Sequence, residues 1–360
     1  MENMTLNIPT VSVTEVVDIL ADLYVSVIKT GRPFFDLPSP FFWGPPGVGK
    51  SQGVFQLAKR IEKQTGKKVN VTDVRLLLMN PVDLRGIPTA NEDKTLAIWL
   101  RPEIFKMDAS DDVVNILFLD ELSAAPQSVQ AAAYQITLDR KIGEHKLPEN
   151  CIVIAAGNRT TDKSVAFKMP RALANRMMHF EIVPYFDSWH EWAIKNNIDS
   201  RIIGYISFNT SSLCEEGEST LAFCTPRSWS FVSEILKTGN YTPESAHKLI
   251  SACVGSDTAI EFEAWCSVFD KLPKTEEILK GNCKNYPKSN DVLYALISSL
   301  SCEIIKRKDV ISINELKNAF AYASRFPQDF KASFFKSVCA CDELKVRIIA
   351  IPELKSWFDY

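Results

Sequence analysis

No stretch of this 360-residue chain approaches the ~20 consecutive apolar residues that a bilayer-spanning helix needs. The nearest, Val11–Ile28, is interrupted by Glu15, Asp18 and Asp22. It reads as an amphipathic helix, so no membrane association is expected. No leader-peptide pattern opens the chain. A strong charge bias is missing too. The formal net charge is −3, so nothing marks the whole chain as a nucleic-acid binder, and only a local basic patch stays open. The nine cysteines make an odd number. Most stand singly in apolar stretches, as Cys151, Cys224, Cys266 and Cys302 do, which reads as reduced, buried thiols of a cytoplasmic protein. Cys339 and Cys341 lie close together but have no second pair and no neighbouring histidine. A zinc site is not expected there, because zinc takes four ligands at compatible spacings. Internal repeats, low-complexity tracts and long charge runs are absent as well.

What is present is a chain able to bury a large core, with 46% hydrophobic and 24% charged residues. Its first half alternates two kinds of segment. Phe41–Trp43, Val69–Leu77, Asn115–Leu119, Cys151–Ala156 and His179–Val183 read as strands. Helical patterns run from Lys50 to about Lys63, over Pro126–Arg140 and over Pro170–Arg176. Such alternation predicts an α/β fold, a mainly parallel sheet with helices on both faces. After Pro184 the strand signals fade. Ser188–Lys195, Ser200–Asn209, Pro226–Lys237 and Pro243–Ala252 read as helices, as do segments near 257–271, 290–307, 313–324, 328–341 and 343–357. A domain boundary is therefore expected near Tyr185–Asp187.

Residues Gly44-Pro45-Pro46-Gly47-Val48-Gly49-Lys50-Ser51 fit the pattern G-x-x-x-x-G-K-[ST] without a mismatch. Glycines let the backbone curl so that consecutive N–H groups point inward at phosphate oxygens. The helix that follows, starting with Lys50, Ser51 and Gln52, adds its positive end. Lys50 can reach the terminal phosphates, and the Ser51 hydroxyl can bind Mg²⁺. A plain glycine-rich turn is the competing reading. A chance match in a chain of this length has a probability on the order of one in a hundred, and its place between a strand and a helix lowers that further.

The run Ile116-Leu-Phe-Leu-Asp120-Glu121 reads as a buried strand ending in two carboxylates. Apolar residues before Asp-Glu are common at strand ends, so the signal is weak alone. Downstream of a phosphate loop, with a further strand–helix unit between, it assigns Asp120 to the Mg²⁺ shell and Glu121 to the attacking water as general base. Asn158 ends the next strand within Ala155-Ala-Gly-Asn-Arg159, where an amide can hold the water or the γ-phosphate. An asparagine capping a turn would look the same. Arg176 closes the segment Met169-Pro170-Arg-Ala-Leu-Ala-Asn-Arg176, with Arg171 a second candidate. Complementing the helix dipole is its simpler role. Thr225-Pro226-Arg227 opens a helix in the second half.

Taken together these residues resemble the AAA+ superfamily and, within it, the MoxR-like ATPases with their CbbQ/NorQ-type relatives. The resemblance rests on GPPGVGKS (44–51), ILFLDELSAAP (116–126), AAGNR (155–159), the segment from Pro170 to Met177, and TPRSW (225–229). Pro81–Pro88 through Trp99 resembles the hairpin that this clade inserts in its second helix, and Asp139–Gly143 through Pro148 resembles its second hairpin. It is specific over the first 185 residues and thin beyond 255.

The resemblance implies a P-loop core over residues 1–186, an all-α lid over 187–255 and a C-terminal helical extension over 256–360. It implies ATP and Mg²⁺ as cofactors. Asn158 becomes sensor 1, Arg176 an arginine finger acting on a neighbouring subunit's ATP, and Arg227 sensor 2. It further implies a homo-oligomeric ring, commonly hexameric, a partner with a von Willebrand factor A domain, and a protein client that is remodelled or activated. The alternative is a nucleic-acid motor of the same clade, whose second hairpin carries basic residues into a pore. Here that hairpin has Arg140, Lys141, His145 and Lys146 against Glu144 and Glu149. The acidic total charge favours the protein client. A small-molecule kinase would explain the loop but not Asn158, Arg176 and Arg227.

Overall fold

The computed structural model describes residues 7–159, 169, 171–215, 221–269, 271–287 and 289–359. They form two compact units that meet in the sequence at Val183 and Pro184.

The first unit opens with β1 (Thr10–Val11) and α1 (Val13–Thr30). Ser12 caps α1 by accepting the Glu15 N–H at 3.1 Å, and Gly31 ends it in the left-handed region at φ 65°. Next come β2 (Ser39–Trp43), α2 (Lys50–Thr65), β3 (Lys68–Arg75), the short α3 (Pro81–Arg85) and a hairpin of β4 (Ile87–Ala90) with β5 (Ala97–Leu100). After β6 (Val113–Asp120) follow α4 (Gln127–Asp139), the small hairpin β7 (Lys141–Ile142) and β8 (His145–Lys146), β9 (Cys151–Gly157), α5 (Arg171–Ala174) and β10 (Met177–Ile182).

Six of these strands make one sheet in the order β1-β10-β2-β9-β6-β3, with every neighbouring pair parallel. β6 and β9 are buried over nearly their whole length, which is why they read as continuous apolar runs rather than alternating ones. On one face Phe41, Leu117, Leu119, Val153 and Ala155 pack against Val129, Ala132, Ala133 and Ile136 of α4. α2 lies against β6 and β9 with its buried Val54, Leu57 and Ile61. The fold is therefore the α/β layering of a P-loop protein, and because all strands run one way, the ends of β2, β6 and β9 share one edge.

The second unit is helical: α6 (Phe186–Lys195), α7 (Ser200–Phe208), α8 (Pro226–Thr238), α9 (Pro243–Val254), α10 (Ser256–Phe269), α11 (Thr275–Leu279), α12 (Asn290–Lys306), α13 (Ile313–Ala323), α14 (Gln328–Cys339) and α15 (Asp342–Ile349). Two apolar clusters hold it. One gathers Trp189, Ile202, Tyr205, Trp229 and Phe262, the other Leu296, Leu300, Phe320, Phe334 and Trp357. Burial pushes the thiols of Cys224 and Cys302, and of Cys151 in the first unit, up to about 12, so they are inert packing groups.

Several expectations shift. The strand expected to reach Leu77 stops at Arg75, and Leu76–Leu78 form a tight 3₁₀ turn with Leu77 and Leu78 exposed. Asn80-Pro81 follows at once and starts α3. The helix expected over Pro170–Arg176 spans only Arg171–Ala174, with Arg176 in the turn beyond it, and Pro170 lies outside the described residues. The final helix breaks after Ile349 and resumes as a 3₁₀ segment at Pro352, whose ring restricts the residue before it and removes a backbone donor. β1 and α11 had no pattern long enough to reveal them.

Candidate functional site

The phosphate-loop glycines are there for space and backbone freedom. Gly44 has φ 153°, and a Cβ on it would stand 2.5 Å from the Ile182 carbonyl oxygen. Gly47 and Gly49 sit at φ 82° and 102°. Gly49 caps α2 without any side-chain hydrogen bond, so the positive end of the helix faces the loop. Val13, at the start of α1, packs over Gly49 and Gly53, where added methyl groups would lie 3.2 Å from its side chain. Nothing in the sequence pointed to Val13.

Lys50 is buried, only 9% exposed. Its ammonium donates to the carbonyls of Gly44 at 2.6 Å and Pro45 at 2.9 Å, and to Asn158 Oδ1 at 2.9 Å. Ser51 Oγ donates to Asp120 Oδ2 at 2.7 Å, and Asp120 Oδ1 accepts the Glu121 N–H at 2.9 Å. A hydroxyl and a carboxylate oxygen so placed suit a small hard cation. The loop, the buried ammonium and this oxygen pair fit a nucleotide phosphate with Mg²⁺.

Glu121 leaves β6 with φ 58°, a conformation uncommon outside glycine. The turn behind it is laced to the neighbouring strand. Leu122 N–H donates to the Ala156 carbonyl at 2.9 Å. Ser123 Oγ accepts the Asn158 N–H at 2.9 Å and donates to the Asn158 carbonyl at 3.0 Å. A Cβ on Gly157 would fall 2.6 Å from Ser123 Oγ, so glycine is needed for this approach. Ser123 thus fixes Asn158 beside Lys50. Sequence reasoning missed it, and the small residues after Glu121 were the available signal.

The candidate arginines belong to α5, the turn after it, and α8. Arg171 and Arg176 are both exposed, at the start of α5 and just past its end. Arg227 is exposed in the first turn of α8, in the second unit, behind a capping box of Thr225 and Ser228. Arg159 ion-pairs with Glu181 across the sheet at 2.7 Å. Of the basic hairpin residues, Arg140 turns inward. It ends α4 at φ 53° and donates to the Leu37 carbonyl at 3.2 Å, and burial lowers its pKa. His145 Nε2 pairs with the Trp99 carbonyl at 2.8 Å, tying the two hairpins together.

With this geometry in place, residues 40–185 match the family described as ATPase family associated with various cellular activities (AAA). They form an AAA ATPase domain. Replication factor C subunit 4 of Caenorhabditis elegans is 27% identical over 124 residues, 33% of this chain and 34% of that protein, so the matched stretch spans about a third of the curated relative. Among solved structures, a RuvB mutant of Thermotoga maritima aligns with a TM-score of 0.37 at 17% identity, over 85% of this chain and 88% of that one. PCH-2 of C. elegans aligns at 0.35 and 12%, over 93% and 69%.

Proposed function

We propose that the chain is a MoxR-like AAA+ ATPase that hydrolyses ATP with Mg²⁺ and uses the cycle to remodel or activate a protein client. The observation that carries this is the convergence, at one sheet edge, of Lys50 on Asn158 at 2.9 Å and Ser51 on Asp120 at 2.7 Å, with Glu121 next in the chain. Bound Mg–ATP supplies the transferable γ-phosphoryl group and the metal's charge. The backbone of residues 44–49 and the α2 N-terminus bind phosphate oxygens, and Gln52 lines the same turn. Lys50 would donate to phosphate oxygens, while Ser51 and Asp120 would hold the cation. Glu121 takes the proton of the attacking water, and Asn158, held by Ser123, orients that water.

In this reading Arg176 serves a neighbouring subunit's ATP within a ring, commonly of six, and Arg227 answers the γ-phosphate of its own chain. Cytoplasmic location and a partner with a von Willebrand factor A domain complete the proposal. Among the described residues no helix is long and apolar enough to cross a membrane. A nucleic-acid motor is the second reading, favoured by the match to a replication factor C subunit. The inward Arg140 weakens it, since that cation is committed to the Leu37 carbonyl.

The test separates binding from chemistry. Glu121→Gln keeps side-chain shape and leaves Asp120 on the metal, so ATP affinity is expected to hold while turnover drops ~10²-fold or more. Hydrolysis at the wild-type rate removes Glu121 from the mechanism. Turnover is expected to be indifferent to single-stranded and duplex DNA, and stimulation by either favours the motor.

A further inference from the structure

Trp43 is the last residue of β2 and directly precedes Gly44 of the phosphate loop. Its indole Nε1–H donates to His179 Nδ1 at 3.0 Å. An indole nitrogen can only donate, so Nδ1 of this imidazole is the acceptor and Nε2 carries the proton. Nε2 lies 2.8 Å from the carbonyl oxygen of Ala174 and donates to it. Ala174 is the last residue of α5, and its carbonyl is one of the orphan acceptors that a helix end leaves. Two residues on stands Arg176.

The imidazole is held from both sides. β10 pairs with β2 in a register that sets His179 opposite Phe41. Phe41 and Trp43 share a face of β2 with ring centroids 4.2 Å apart, and they lie 5.9 and 6.1 Å from the His179 ring. A ring so flanked has one orientation, and its two nitrogens point to two different elements.

We propose that His179 is a positioning residue that ties the end of α5, and so Arg176, to the residue that enters the phosphate loop. The inference rests on the reading that Arg176 acts on a neighbouring subunit's ATP. A change in the loop moves Trp43, Trp43 moves the imidazole, and the imidazole moves the carbonyl from which the Arg176 turn starts. The occupancy of one subunit's site is thereby felt by the arginine it lends to the next. α5 is four residues long and cannot hold its own geometry by helical hydrogen bonding. Beside the backbone bond from Asn175 N–H to the Arg171 carbonyl at 3.2 Å, the His179 bond is a further anchor.

Two substitutions dissect the two arms. In His179→Asn the amide oxygen takes the place of Nδ1 and still accepts from Trp43, but nothing reaches Ala174. In His179→Gln the amide nitrogen takes the place of Nε2 and still donates to Ala174. For H179N, kcat is expected to fall roughly 10- to 100-fold, the scale of a misplaced catalytic group, with KM for ATP unchanged. H179Q keeps the Ala174 bond but breaks the Trp43 link, as W43F does, and is expected to lower kcat to a similar degree. Mixing H179N chains with excess Lys50→Ala chains, which are inactive but carry an intact Arg176 turn, is expected to restore turnover per H179N chain. Trp43→Phe breaks the same chain of bonds at its other link without touching β10, and is expected to lower kcat with the same rescue, which keeps the test open should H179N not fold.

Wild-type kcat in H179N or in W43F overturns the inference. So does a loss that mixing leaves unchanged, or wild-type kcat in H179Q beside a loss in W43F. Arg176→Ala chains mixed with Lys50→Ala chains form the control. If Arg176→Ala is rescued and H179N is not, the inference alone falls. If Arg176→Ala is not rescued, the trans reading falls and the inference goes with it.

Discussion

Glycine sets how closely the polar and charged residues of this site approach one another. Gly157 lies under Ser123, and Ser123 holds both backbone groups of Asn158. In Gly157→Ala the new methyl would sit 2.6 Å from Ser123 Oγ and 3.0 Å from the Phe41 ring. Relief requires the Glu121 turn to move off β9. Stability is expected to fall by about 1–3 kcal/mol, and turnover to fall further than nucleotide affinity, because Asn158 shifts while the loop stays. Denaturant titration and steady-state kinetics check both, and a variant of wild-type kcat would separate Asn158 from the chemistry. Lys50→Ala acts on the other side. It removes charge-assisted contacts to phosphate and is expected to abolish ATP binding in calorimetric titration while the fold persists, since an alanine in the first turn of α2 retains helix propensity.

At the scale of elements, the second unit carries a buried titratable group on α6. His190 packs against the Phe186 ring at 5.4 Å. Burial first, and the nearby Lys336 charge second, lower its pKa from 6.5 to about 4, against the pull of Asp187 and Glu191. The unfolded chain takes up this proton near pH 6.5 and the folded one only near 4. Stability of the second unit is therefore complete above pH 6.5 and declines as pH falls toward 4, by about 3 kcal/mol in all. Urea unfolding followed by tryptophan fluorescence reads it, since Trp189, Trp192, Trp229, Trp265 and Trp357 lie in this unit. His190→Gln is expected to flatten the decline, and an equally steep curve for that variant would assign it to other groups.

At the scale of the whole molecule, function as proposed here is a property of more than one chain. On that proposal, the exposed Arg176 acts where another subunit brings it a γ-phosphate. Specific activity is expected to rise with protein concentration as subunits assemble, and Arg176→Ala to lower kcat ~10³-fold or more, the scale of arginine fingers in P-loop enzymes. Activity per chain that stays flat from nanomolar to high micromolar protein would sink the ring. Arg171, also exposed at the start of α5, is the internal comparison, and a deeper loss in Arg171→Ala would transfer the role to it.

The sequence by itself determined the parts whose chemistry is local. Glycine spacing, Lys50 and Ser51 predict a turn between a strand and a helix, which is where β2 gives way to α2, and a strand buried over nearly its whole length, such as Val113–Asp120, announces itself because neither face meets water. The α/β layering follows from those strands alternating with helices. Tertiary structure decided what depends on residues far apart in the chain. Val13 lies over the loop, Ser123 clasps Asn158, Arg140 turns inward to Leu37, and His179 joins Trp43 to Ala174. No pattern marks these residues, because each is an ordinary valine, serine, arginine or histidine until the parallel sheet brings its partner alongside. The short elements were hidden for a related reason. β1 is two residues long and α11 five, too few for a period to show, and both are held by neighbours rather than by their own propensity.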